Sequence, residues 1–249
     1  NAGALCIETQ KGLTMQEVFE FDVRPIADQF QVKAVRLADS FLAGELKHLE
    51  VILVAVDGEP VHPLAGSRFG LAMGQRLDIE LDVPAEGGAF PILALREGAK
   101  ERTGLILATP GATVMKVSSL SDAEHPAFSA DISQEAALRA VMSLPERAPT
   151  SQPMLMLGGS MMPYVWTING QTWGNHVPVT AKSGDRVEIT FHNMSMMAHP
   201  MHLHGHAFQV VSSGGARFAG AVRDTVHVPP MGMVTVAVDA GEAARWMLH

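Results

Sequence analysis

The sequence predicts an all-β protein built from two β-sandwich domains. Short apolar or alternating runs are separated by Gly and Pro throughout the chain, which is typical of strands joined by tight turns. The run RLDIELDV at 76–83 alternates apolar and charged residues, so one face should be buried and the other wet. With 47% hydrophobic residues and a mean hydropathy of +0.14, the chain can bury a large core.

Strands are predicted in both halves of the chain. The first half contains VILVAVDGEPVHPL at 51–64, RLDIELDVPAEGG at 76–88, AFPILALREG at 89–98 and TGLILATPG at 103–111. The second half contains RVEITFHN at 186–193, AFQVVSS at 207–213, DTVHVPP at 224–230 and MVTVAVDA at 233–240. The two-residue period of these runs predicts strands rather than helices.

A linker is predicted between the two β regions, at 118–153. It is polar and turn-rich at first, continues into the short helix former EAALRAVM at 135–142, and ends in the Pro-rich LPERAPTSQP. Asp131 and Gln134 have the spacing of a capping box for this helix. We therefore expect domains at 1–117 and 154–249, with the linker at 118–153 carrying one short helix.

Composition excludes several function classes. The formal charge of −8 and pI near 5.7 arise from interspersed acids without a basic run, which argues against a nucleic-acid partner. The single cysteine, Cys6, excludes an internal disulfide framework. No run approaches the length of a membrane span, and no basic segment precedes an apolar one at the start. We expect a soluble chain without membrane insertion, any targeting peptide lying outside it.

One stretch, HPMHLHGHAF at 199–208, concentrates four of the chain's 11 histidines. If HLHGHAFQVV is a strand, His202, His204 and His206 share one face about 7 Å apart, close enough to bind one metal or two adjacent metals. His199 lies across Pro200 at a reach of about 10 Å and should serve a separate metal. Crowded imidazoles are unfavourable unless something ligates or neutralises them, so the stretch predicts metal binding.

The histidines alone do not identify the metal, because imidazole suits Zn, Cu, Fe and Ni. A binuclear hydrolase would have carboxylates mixed into the cluster, and a cupin would have a Glu shortly after the paired histidines. HLHGH and AFQVVSSGG supply neither. These absences favour copper.

The stretch and its surroundings resemble the last cupredoxin domain of the multicopper oxidases, the family of laccases and copper-resistance oxidases. WTINGQTW, RVEITFHN, MMAHPMHLHGH, RFAGAVRDTVHVPP and RWMLH occur in the order that the family shows, over 161–249. VAVDGEPVHPL and LAMGQRLDIELDV, within 50–110, resemble the copper-free middle domain of three-domain members. The resemblance implies cupredoxin-like Greek-key sandwiches for both domains.

The resemblance also implies a role for each histidine. His199 corresponds to a type 1 (blue) copper ligand, His202 to a type 2 ligand and His204 to a ligand of the type 3 pair. His249 corresponds to the histidine that opens the fourth motif, His-Cys-His, and would bind type 3 copper. His206 is left as a hydrogen-bonding residue without a metal.

Parts of the family's copper set are not found in this sequence. No cysteine follows His249, and the two His-x-His pairs that the family carries in its first domain are not found. We therefore expect the middle domain and most of the last one, with the first domain and a C-terminal segment missing. The other histidines stand singly and are expected at the surface or in the core: His48, His62, His125, His176, His192 and His227.

The function implied is that of a laccase-like oxidase. It would couple one-electron oxidation of a small phenolic-type molecule or Cu(I) to reduction of O2 to water, in the periplasm or outside the cell. A non-catalytic copper-binding or copper-buffering protein is the alternative, and a zinc hydrolase a third possibility.

Two further features are left with two interpretations each. Methionines cluster at 154–162 and 194–201, where they either fill core gaps or bind Cu(I) through soft thioethers. Asp224 either orients a ligating histidine or forms a turn or salt bridge, for which Arg223 is the neighbouring partner. For Asp224, the sequence favours the turn or salt bridge.

Overall fold

The regular structure of the described residues is almost entirely β, which confirms the predicted fold class. The computed structural model describes residues 51–126, 132–172 and 175–249, together with backbone strands at 23–26 and 29–33. Cys6, His48 and Asp131 lie outside the described residues. Two compact units are present: unit 1 comprises 1–58 and 63–128, and unit 2 comprises 59–62 and 129–249.

Sixteen strands and one helix are described. In chain order the strands are β1 Val23–Ile26, β2 Gln29–Lys33, β3 Val51–Val56, β4 Glu59–Gly66, β5 Leu77–Leu81, β6 Ala89–Leu95, β7 Arg102–Ala108, β8 Met154–Met161, β9 Tyr164–Ile168, β10 Arg186–Asn193, β11 His199–His202, β12 Phe208–Ser213, β13 Ala216–Arg217, β14 Val222–Arg223, β15 Thr225–Val228 and β16 Met233–Asp239. The helix, α1, is Ser133–Ala137.

The first sheet has five strands in the order β1-β2-β5-β3-β4, and β6 pairs with β7 as a separate ribbon. In β5, Leu77, Ile79 and Leu81 are buried while the charged residues between them are less so, as the alternation predicts. Asp57 and Gly58, between β3 and β4, both have positive φ, which is the geometry of a tight hairpin turn. The Asp57 carboxylate accepts a hydrogen bond from the Arg76 amide at 2.8 Å.

The second unit is built on a larger sheet ordered β13-β12-β16-β10-β8-β9, with β14 also paired to β12. β10 lies between β16, which is antiparallel to it, and β8, which is parallel. One face of this sheet joins residues of β11 and β15 in an apolar core. The core consists of Leu155, Leu157, Val187, Ile189, Phe191, Met201, Phe208, Val210, Val226, Val228, Val234, Val236 and Val238.

A two-stranded ribbon of β11 and β15 positions the histidine stretch, with His199 opposite Val228 and His202 opposite Thr225. The expected continuous strand through HLHGHAFQVV is wrong. β11 ends at His202, a turn follows at His204 and Gly205, and β12 begins only at Phe208. Because of this turn, His206 does not continue the strand that carries His202.

The helix is shorter than the stretch predicted at 135–142. It ends at Ala137, and its N-cap is Ile132, which makes no side-chain capping bond. The boundary between the two units falls at 128/129, inside the stretch interpreted as a linker. Among the described residues, no helix combines the length and the apolar character needed to cross a bilayer.

Candidate metal centre

The last residues of the chain run antiparallel to the end of β11. His202 and His249 exchange both backbone hydrogen bonds, at 2.8 and 3.0 Å, and the His204 amide donates to Met247 at 2.9 Å. Leu203 and Leu248 form the bridge between these contacts. Because directly opposed residues share a face, this pairing places the His249 side chain beside that of His202.

Three of the four histidines assigned to metal come together as a result. His202, His204 and His249 can each offer a ring nitrogen such that all three lie within 4.8 Å of one another. The Nε2 atoms of His204 and His249 are 3.1 Å apart. The ring centroids of His202 are 4.6 Å from His204 and 5.6 Å from His249. We call these three residues the histidine group.

His202 is oriented by Asp224 and Thr225, at the start of β15. Its Nδ1 lies 3.0 Å from the Asp224 carbonyl oxygen, 2.9 Å from the Thr225 hydroxyl and 3.3 Å from a carboxylate oxygen of Asp224. The Thr225 hydroxyl also donates to that carboxylate. Engagement of Nδ1 leaves Nε2 for a metal, which is how ligating histidines are commonly held.

These contacts favour a role for Asp224 in orienting a ligating histidine, whereas the sequence alone favoured a turn or salt bridge. The carboxylate lies beside a histidine of the group, and Arg223 makes a buried ion pair with Glu135 of α1 at 2.6 Å. Thr225 was not singled out from sequence at all. Its strand position opposite His202 would have identified it, but that pairing is visible only once the register is known.

The turn after His204 depends on Gly205 and Trp246. Gly205 has φ +68, and a Cβ placed on it would overlap the indole ring of Trp246. His206 points away from the histidine group: its Nε2 accepts a hydrogen bond from the Gly241 amide at 3.1 Å, and its ring contacts Trp246 edge-on. His206 and Trp246 therefore hold the returning segment that ends in His249.

His199 lies at the other end of β11, outside the histidine group. Positions three apart in a strand face opposite sides, so its side chain is directed away from that of His202. Its Nε2 is 2.8 Å from the Ser195 hydroxyl, and its ring meets the Trp166 ring edge-on at 5.2 Å. Nδ1 is then the ring nitrogen available to a metal.

The support of His199 was missed from sequence. Ser195 is held by the fully buried Asn193, whose amide oxygen accepts from both the amide and the hydroxyl of Ser195 at 2.9 Å. The amide nitrogen of Asn193 donates to the carbonyls of Met197 and Pro229. An Asn followed two residues later by Ser at a strand end is the available signal, since Asn commonly bonds the backbone two residues on.

Partial desolvation lowers the pKa of two of these imidazoles, which favours their neutral form. Desolvation lowers the pKa of His199 below its ordinary value. The pKa of His249 is also lowered, first by desolvation and then by the repulsion that charged His202 and His204 would exert. Neutral imidazole is the form that binds metal.

The donor geometry fits a shared or closely spaced metal. Two nitrogens that bind one ion at about 2.0–2.1 Å are about 3.3 Å apart in tetrahedral geometry. The Nε2 atoms of His204 and His249 are 3.1 Å apart, which is close to that separation. Imidazole donors suit copper among other transition metals, so the group fits the metal expected from the sequence.

Similarity to known proteins extends beyond the residues of the site. Residues 146–249 match the family model described as Multicopper oxidase. The chain is 34% identical to Multicopper oxidase MmcO of Mycobacterium tuberculosis over 193 residues, which are 78% of this chain and 37% of that protein. It is also 34% identical to Copper resistance protein A of Escherichia coli over 103 residues, covering 41% of this chain and 17% of the relative.

Solved structures share the fold. A laccase-like multicopper oxidase, CueO, from Ochrobactrum sp. matches 90% of this chain and 52% of its own with a TM-score of 0.62 at 17% identity. McoA multicopper oxidase from Aquifex aeolicus matches 91% of this chain and 49% of its own, with a TM-score of 0.53 at 23% identity. The chain thus spans about half of these structures and about a third of MmcO. The family model and the curated relatives show that this chain belongs to the multicopper oxidase family, whose cofactor is copper.

Proposed function

We propose that this chain carries part of the copper centres of a laccase-like oxidase. The enzyme would couple one-electron oxidation of a phenolic-type substrate or of Cu(I) to the four-electron reduction of O2 to water. The observation that carries the proposal is the convergence of His202, His204 and His249, whose ring nitrogens lie within 4.8 Å although His249 is distant in sequence. Relatives named for copper resistance and as laccases support the two substrate classes.

The proposed roles divide the histidines between two places. His199 would hold the type 1 copper, where electrons from the substrate would enter. His202 serves type 2 copper, and His204 and His249 serve the type 3 pair. His199 lying outside the group that the other three form supports this division.

The chain's own residues prepare these sites by fixing which ring nitrogen is presented. Thr225 and Asp224 hold Nδ1 of His202 and so turn Nε2 toward His204 and His249. Ser195 engages Nε2 of His199 and so leaves Nδ1 exposed to a ligand. Copper held by these rings would supply one-electron transfer and the reduction of O2.

The wider assignments rest on the same family relationship. We propose a copper-free middle domain at 1–117, a linker at 118–153 and a copper-binding cupredoxin domain at 154–249. We also propose a periplasmic or extracellular location, since the relatives include copper resistance proteins of Escherichia coli and Pseudomonas syringae.

Oxygen consumption by the protein in its natural full-length form tests the proposal. With a phenolic substrate or Cu(I), the unaltered protein should consume O2, and His249→Ala should abolish uptake because it removes one member of the histidine group. His62→Ala is the matched control, because His62 is exposed and lies outside the group. A protein that binds copper at the group but consumes no O2 with either substrate would be a copper-binding protein, and the oxidase proposal would be wrong.

A further inference from the structure

Three side chains on neighbouring strands of the second unit form a row outside the histidine group. In the register of the sheet, His192 of β10 lies opposite Met156 of β8 on one side and opposite Met233 of β16 on the other. Neighbouring strands are about 4.8 Å apart, so the three Cα atoms span about 10 Å. We call these residues the Met-His-Met row.

The row lies on the face of the sheet opposite the core. Leu155, Phe191 and Val234, which alternate with the row residues, are all buried. Met156 and Met233 are exposed, and His192 is partly exposed. Within the part of the chain that the structure describes, the His192 ring makes no hydrogen bond or ion pair. The imidazole and both thioethers are therefore available to a ligand from solvent.

Further exposed methionines lie close to the row in the sequence. Met154, two residues before Met156, and Met194, two residues after His192, are both exposed, as is Met231 two residues before Met233. Of the two interpretations left by the sequence, core filling holds for Met201, which is buried. Core filling does not hold for Met154, Met156 or Met194. These side chains are exposed, so burial of apolar area does not explain why methionine occupies these positions.

The donor set determines which ligand fits. Thioether sulfur is soft and selects Cu(I) among the biological metals, whereas carboxylates and carbonyls select hard cations. Methionine has three rotatable side-chain bonds, so two such side chains can converge on an imidazole held between them. No acidic side chain belongs to the row, which disfavours divalent hard ions.

We propose that the Met-His-Met row is a binding site for a soft monovalent cation, Cu(I), with Met156, His192 and Met233 as its ligands. The site is separate from the histidine group, and its existence does not depend on the proposed oxidase function. Sequence analysis assigned His192 no role because it stands alone in the sequence. Its partners come from strands 36 residues before it and 41 residues after it, which only the sheet register brings together.

Anaerobic Cu(I) titration of the whole chain tests the proposal, with a chromophoric Cu(I) chelator as competitor and methionine methyl groups labelled with 13C for NMR. The titration is performed in a His202→Ala/His204→Ala background, so that the histidine group does not compete. We expect binding of one Cu(I) that shifts the methyl signals of Met156 and Met233. Met156→Leu/Met233→Leu and His192→Gln should each weaken binding by about tenfold or more, since they remove direct ligands.

A matched control replaces two exposed methionines outside the row, Met73→Leu/Met142→Leu, and should leave Cu(I) affinity unchanged. Leucine conserves the volume of methionine, so the methionine-to-leucine variants should keep the circular dichroism spectrum and unfolding temperature of the parent. Affinity that is the same in the row variants and in the control would overturn the proposal. So would methyl shifts confined to methionines outside the row. Oxygen uptake does not enter this measurement, so failure of the oxidase proposal would leave its result unaffected.

Discussion

The two ends of β11 present imidazoles in opposite ways. At the first end, His199 is held through Nε2 by Ser195, which is itself bound to the buried Asn193. At the other end, His202 is held through Nδ1 by Thr225 and Asp224. The first histidine thus has Nδ1 free and the second has Nε2 free.

The difference shows how a four-residue strand can serve two metal sites. The alternation of side chains sends positions 199 and 202 to opposite faces, and separate hydrogen-bonding partners then select the ring nitrogen. His199 depends on contacts with residues near it in sequence, whereas the histidine group depends on the returning segment that ends in His249. Changes that affect one end should therefore spare the other.

The largest expected effect comes from removing a member of the histidine group. His204→Ala should weaken Cu(II) binding at the group by more than about a hundredfold, exceeding what loss of an outer hydrogen-bond partner costs. His199→Ala should leave binding at the group unchanged. Copper stoichiometry and affinity measured on both variants check this, and equal losses in the two would mean that all four histidines share one site.

Gly205→Ala should destabilise the turn by about 2 kcal/mol, because alanine is strained at positive φ and its methyl group overlaps Trp246. Displacement of Trp246 should loosen the segment that carries His249 and lower metal affinity at the group, while the NMR signals of His199 stay in place. Gly58→Ala is the matched control: Gly58 has φ +86 but open space around its Cβ position. It should cost about 1 kcal/mol in the free energy of unfolding and leave metal affinity unaltered. Equal effects of the two substitutions on metal binding would exclude a role for the contact with Trp246.

A smaller effect is expected from Thr225→Val, which removes the hydroxyl beside Nδ1 of His202 while keeping the side-chain shape. Affinity of the histidine group for Cu(II) should fall by about tenfold, since the ring loses one of its orienting partners. Thr225→Ser, which retains the hydroxyl, should bind as the unaltered chain does. Calorimetric titration of both variants decides, and a Thr225→Ser variant as weak as Thr225→Val would assign the effect to packing.

The smallest expected effect is on the pH dependence of stability, and it should involve both His199 and His249. The pKa values of His199 and His249 are lowered in the folded chain, so on acidification the unfolded chain takes up protons first. Their contribution to stability is fully present above the unfolded value of about 6.5 and declines as pH falls through the lowered values. NMR titration of the metal-free chain should show both rings protonating below about pH 6.5. Protonation of either ring above that pH would contradict the expected direction.

Local sequence patterns were sufficient for most of the fold. Alternation and turn residues predicted the all-β class, and the strand at 77–81 follows its pattern closely. The strand expected through His204 failed because Gly205 adopts positive φ under Trp246, which is remote in sequence. The glycine was visible in HLHGHAF, but the indole that requires it was not.

The site was predictable to a similar degree. The motif identified His202 and His204, and the resemblance added His249, which the structure brings to the same place. Thr225, Asn193 and Ser195 were not found, because their roles come from pairing and burial rather than from a residue pattern. Assignment of His199 to a separate copper remains a prediction, as do the domain boundaries at 117 and 153.

The antiparallel pairing of His249 with His202 has a consequence for folding. His204 and His249 are 45 residues apart in sequence, and bringing them together closes a loop that contains β12 to β16. When the chain folds, bringing the ends of a loop of this length together costs conformational entropy. A metal ion bound by both rings would offset part of this cost, because it binds only the folded arrangement and its binding free energy then adds to the stability of the fold.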